Sequence, residues 1–156
     1  MFKTQKLLFI ILLGLLIIGC NPATSIPISQ NPNQLPNSIS VNFNNQFRLK
    51  PNDVALIASD NIKIKFLKVE EDSRCPNEVQ CIWPGQVKVL VNVVKDEMEF
   101  GNLNLTSKVG GEDLSVKTFD GYSIKLIEVL PYPKKNQKLE ISDYLVTLVV
   151  SQRSGV

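Results

Sequence analysis

Gln86-Val87-Lys88-Val89-Leu90-Val91-Asn92-Val93-Val94 decides the fold. Valines at 87, 89, 91 and 93 fall on one side of an extended chain, because successive strand side chains point to opposite faces. Lys95-Asp96-Glu97 supplies a polar connection, and Met98–Leu105 supplies a second strand, so the pair reads as a hairpin. The same two-residue period occurs upstream, where Ile62, Ile64 and Phe66 alternate with Lys63 and Lys65.

Downstream, Ser115–Phe119 and Tyr122–Leu130 flank Asp120-Gly121. This is the chain's strongest hairpin signal, because a type I′ turn needs positive φ at both central residues. Gly110-Gly111 marks a break before this hairpin, and Pro131 and Pro133 stop the strand after it. The last strand runs from about Tyr144 to Ser151. A short helix over Asp53–Ser59 is the one helical alternative after the amino-terminal segment. About seven or eight short strands predict an all-β domain over residues 41–156. The expected architecture is an antiparallel β-sandwich, immunoglobulin-like, or a small barrel. Residues 20–40 differ: Pro22, Pro27, Pro32 and Pro36 lie among Asn, Ser and Gln with no charge, the composition of an extended, disordered tether.

The amino terminus carries an address. Lys3 and Lys6 precede an apolar run from Leu7 to Ile18, then Gly19 and Cys20. Basic end, short apolar core and small residue make a secretory signal over residues 1–19. The run falls short of the roughly 17–25 residues a membrane-spanning helix needs. Ile17-Ile18-Gly19-Cys20 resembles a bacterial lipobox. That resemblance implies cleavage before Cys20, diacylglyceryl attachment to its thiol and a palmitate-bearing lipoprotein. It implies a lipid-anchored, extracytoplasmic location at the cell membrane or the outer membrane. Asn21, in place of Asp, resembles lipoproteins sent on to the outer membrane of a two-membrane cell.

Export reorganises charge and sulfur. Lys3 and Lys6 are two of 17 basic residues, and no acid leaves with them, so the remainder is balanced at 15 of each sign. A balanced chain lacks the cationic surface that supplies most nucleic-acid affinity, so nucleic acid is excluded as a partner. Of the 3 cysteines, Cys20 takes the lipid, which leaves Cys75 and Cys81 to pair as a disulfide outside the cytoplasm. Their spacing is not that of a thioredoxin-like redox pair, and no βαβ pattern surrounds them.

Histidine is absent. Serine–histidine and cysteine–histidine catalysis and histidine-held metals are therefore excluded. No cofactor is expected and no catalytic residue is assigned; a carboxylate-pair hydrolase remains as a minor reading. The sharpest motif is Asp72-Ser73-Arg74-Cys75-Pro76, followed by Cys81-Ile82-Trp83-Pro84-Gly85. It resembles the Asp-Ser-Arg-Cys-Pro … Cys-x-Trp-x-Gly signature of a group of small, uncharacterised bacterial lipoproteins and exported proteins. Leu130-Pro131-Tyr132-Pro133 and the Tyr144 strand extend the likeness over Phe47 to Val150. It implies an exported all-β domain and no particular activity.

Two readings of this loop follow. In the structural one, Trp83 lies two residues past Cys81, shares its face and covers the disulfide, while Arg74 pairs with Asp72 or Glu71. In the functional one, a rigid loop presents Arg74, Trp83 and Asp72 to a protein or glycan partner. Glu70, Glu71, Asp72 and Glu78 read as a solvated acidic edge rather than a Ca²⁺ site, and Lys134, Lys135 and Lys138 as loop solubilisers. The expectation is a membrane-anchored, non-enzymatic binding or envelope-structural module. The alternative is an inhibitor of a secreted hydrolase or protease, acting through the Cys75–Cys81 loop.

Overall fold

The computed structural model describes residues 37–108 and 113–153. The signal segment, Cys20, most of the tether and the Gly110-Gly111 break lie outside the described residues. Nine strands are formed among them: β1 Ser38–Ser40, β2 Gln46–Leu49, β3 Val54–Ile57, β4 Ile62–Asp72, β5 Gln86–Lys95, β6 Met98–Lys108, β7 Val116–Phe119, β8 Tyr122–Leu130 and β9 Leu145–Gln152. They make a five-stranded sheet in the order β1-β3-β4-β5-β6 and a four-stranded sheet in the order β2-β9-β8-β7.

The valine face behaves as its spacing requires. Val87, Val89, Val91 and Val93 are buried, together with Ile62, Ile64 and Phe66 from β4. They meet Phe119, Ile124, Leu126, Val146, Leu148 and Val150 of the other sheet in one core. Both short hairpins turn with positive φ at two central residues, Asp96 and Glu97 in one, Asp120 and Gly121 in the other. This is the type I′ geometry that matches strand twist.

The architecture is an all-β sandwich of two sheets, with nine strands rather than seven or eight. Strand β1 pairs parallel to β3, so the pairing is not wholly antiparallel, and the folded region begins by Ser38, inside the stretch assigned to the tether. The segment Asp53–Ser59 forms β3 and a 3-10 turn instead of a helix. Ala55 and Ile57 both point into the core, a two-residue alternation that only a strand satisfies. Apart from β1 and β2, each sheet is a run of sequential hairpins. This differs from the interleaved A-B-E-D and C-F-G order of immunoglobulin domains.

The two ends of the sandwich differ in chemistry. The turn end holds the three tight turns at Asn61, Asp96-Glu97 and Asp120-Gly121. There Lys95 Nζ bridges Asp96 (2.7 Å) and Asp120 (3.0 Å), and the Tyr122 hydroxyl donates to Asp60. The loop end gathers the segments between β4 and β5 and between β8 and β9. The incoming chain joins partway along the five-stranded sheet: Val54, opposite Lys65 of β4, donates its N–H to Asn37 O at 3.1 Å, and β1 runs from there toward the turn end.

Candidate functional site

The site is built where β4 leaves its sheet. The register of β4 on β5 shifts between Phe66 and Lys68 and again between Val69 and Glu71. These bulges re-aim the side chains that follow. After the second, Asp72 stands opposite inward-facing Val87, so a carboxylate enters the space between the sheets.

Arg74 meets it there. Nε donates to Asp72 Oδ1 at 2.8 Å and Nη2 to Oδ2 at 2.6 Å, a two-pronged pair whose side chains are only 10% and 7% exposed. Nη1 also donates to Val129 O at 2.6 Å, and Nη2 to Pro131 O at 2.9 Å. The guanidinium therefore joins the two sheets. Its carbon lies 4.9 Å from the centre of the Tyr132 ring, within cation–π range. The Tyr144 hydroxyl donates to Asp72 Oδ2 at 3.2 Å. Burial, and then the neighbouring Asp72 carboxylate, push the Tyr144 phenol up to about 12.

Beyond this clamp the two chain segments stay paired. Ser73 N–H donates to Gln86 O (2.8 Å) and Cys75 N–H to Pro84 O (3.0 Å). Gly85 makes the approach feasible. Its φ is +72°, and a Cβ there would lie 1.8 Å from the Ser73 carbonyl oxygen. Cys75 and Cys81 close the loop as a disulfide, with Cα atoms 6.0 Å apart. The loop leans on the β8–β9 segment, where Asn77 N–H reaches Pro133 O (3.4 Å) and Glu78 accepts from Lys135 N–H (2.7 Å).

At the tip, Ile82 is 92% exposed and Trp83 80% exposed. The indole does not cover the disulfide. Residue-by-residue strand alternation fails between Cys81 and Gly85, because this stretch is not strand and Gly85 adopts a left-handed φ. Of the three candidate partner residues, Trp83 is available on the surface, while Arg74 and Asp72 are committed inside. Ile82 was not singled out by sequence; it carries no signal apart from its place next to Trp83.

The acidic residues of this end disperse to separate partners. Glu70 lies 3.8 Å from Lys68, Glu71 accepts from Ser73 Oγ and Gln86 Nε2, Glu78 serves Lys135, and Asp72 serves Arg74. Trp83 walls a shallow depression with Glu71, Gln86 and Lys108. A second depression, beside Gln137 and Lys138, contains Asp72 and Tyr144, whose carboxylate and hydroxyl are already hydrogen-bonded.

These features define an all-β sandwich with a clamped, disulfide-closed loop at one end. No protein-family model, curated protein or solved structure matches the chain.

Proposed function

We propose that this protein is a membrane-anchored lipoprotein that works without catalysis, as a binding or envelope-structural module whose contact surface is the Ile82–Trp83 tip. The exposure of two large apolar side chains on a rigid base carries the reading. Such side chains are ordinarily withdrawn from water, and a loop held by a disulfide and a buried ion pair loses little freedom when it binds. Tryptophan is also enriched among the residues that dominate binding energy. The lipobox-like Ile17-Ile18-Gly19-Cys20 supplies the anchor and the compartment.

Two experiments test this. Metabolic labelling with palmitate, blocked by globomycin and abolished in Cys20→Ser, reports the anchor. A photo-crosslinking residue at position 83, compared with one at exposed Asn102 on β6, reports the contact surface. The expected result is a crosslink to an envelope component from 83 and none from 102. Equal yields from both positions contradict the reading. The inhibitor alternative uses the same tip, and recovery of a secreted hydrolase as the crosslinked species would favour it.

A further inference from the structure

We infer that the occupant of the Ile82–Trp83 tip is the lipid bilayer itself: the loop end of the sandwich faces the membrane and the tip dips into its interfacial layer. The inference rests on the lipid-anchored reading above and names the partner of the same surface.

Chain direction is the first support. The described chain enters at Asn37, next to Ser38 and so level with Lys65 partway along β4, and β1 then runs toward the turn end, away from the tip. Fully stretched, the segment from Cys20 to Asn37 reaches no more than about 60 Å. An acylated Cys20 would therefore keep the tip within reach of the bilayer. Under that confinement a weak peg suffices, since the second attachment is intramolecular.

Side-chain chemistry is the second. Ile82 and Trp83 project together, and Tyr132 and Ile141 of the β8–β9 segment, at the same end of the sandwich, are exposed too. Tryptophan and tyrosine favour the boundary between headgroups and acyl chains, where the ring is buried and its polar tip stays wet. The turn end is the reverse, with Asp60, Asp96, Glu97 and Asp120 around Lys95. The loop end has no cationic excess: residues 70–85 and 131–144 carry 4 basic and 6 acidic side chains, and Lys138 pairs with Glu140 at 3.2 Å. Apolar transfer, rather than attraction to anionic lipid, then drives the contact.

Trp83 is the chain's 1 tryptophan, so its fluorescence reports the tip alone. The lipid-bearing protein is reconstituted into phosphatidylcholine vesicles with or without brominated acyl chains. The expected result is blue-shifted emission quenched by the brominated lipid. Adding phosphatidylglycerol or salt leaves it nearly unchanged. Ile82→Ser, at a fully solvated position that the fold does not need, lowers the inserted-to-free ratio about tenfold. Water-like, unquenched emission from protein that still floats with the vesicles overturns the inference and leaves the anchor standing; the tip then belongs to a protein partner. Blue-shifted emission that brominated lipid does not quench also overturns it, in favour of self-association. Failure of the protein to float overturns the inference and the anchor together.

Discussion

Arg74 and Asp72 form a two-pronged ion pair at 2.8 and 2.6 Å in the gap between the two sheets. The arginine also reaches the carbonyls of Val129, on β8 of the opposite sheet, and of Pro131, just past the end of that strand. Four of the five guanidinium N–H donors are thus spent inside the fold. The side chain fixes the base from which the tip projects.

Arg74→Ala leaves the Asp72 carboxylate and two carbonyls without their donor in a largely dry place. The expected loss is about 3–5 kcal/mol, read as a lower urea midpoint. Arg74→Lys recovers little of it, because an ammonium cannot grip both carboxylate oxygens and both carbonyls at once. A stability unchanged in Arg74→Ala would show that the pair holds nothing.

Trp83→Ala behaves oppositely. With the indole mostly in water, the change in unfolding free energy stays within about 0.5 kcal/mol. The envelope contact reported by crosslinking from a neighbouring position is lost while the fold remains.

Gly85→Ala forces a side chain into a left-handed backbone and against the Ser73 carbonyl. The backbone cost alone is about 1–3 kcal/mol. Thermal unfolding shifts downward, and amide exchange accelerates at Ser73 and Cys75, whose N–H groups bond across the loop base.

Removing the disulfide through Cys75→Ser with Cys81→Ser releases a short ring. Its closure contributes about 2 kcal/mol by the chain-entropy relation. The domain stays folded, because the sandwich core does not depend on the ring.

The alkaline limb of stability follows from Tyr144. Its phenol lies at about 12 in the fold, against 10.0 for the free group. A raised value means the folded state holds its proton longer, so the stabilisation is complete below pH 10 and is lost as pH rises toward about 12. Tyr122, raised by its bond to Asp60, adds in the same direction. Urea midpoints therefore fall over this window in the native chain and fall less steeply in Tyr144→Phe. On the acid side, Asp60 is held low by Ser59 and Tyr122, and Asp96 by Lys95. Their contribution disappears as pH drops below the ordinary carboxylate value of 3.8.

Strict period-two segments announced themselves: Val87 to Val93 and Ile62 to Phe66 are buried as their alternation requires, and Asp120-Gly121 turns as its chemistry requires. The short β1 was illegible because three residues, Ser38-Ile39-Ser40, carry no pattern and lie in Asn- and Pro-rich surroundings. Bulges hid the destination of Asp72, since each adds a residue and resets which side chains face inward. Proximity in the chain ties Arg74 to Asp72 or Glu71, and the structure selects Asp72. Its bonds to Val129 and Pro131 cross more than 50 residues and leave no local mark. Trp83 was aimed at the disulfide by strand alternation, which does not hold in a segment ending at Pro84-Gly85.

The Ile82–Trp83 tip is presented to the surroundings rather than folded back on the cystine. Acrylamide quenching of the sole tryptophan, in the chain lacking residues 1–19 and carrying Cys20→Ser, tests it most directly. The expected result is red emission quenched nearly as fast as free indole, in a protein whose unfolding is cooperative. Blue emission shielded from acrylamide would contradict it and return Trp83 to a buried, structural role.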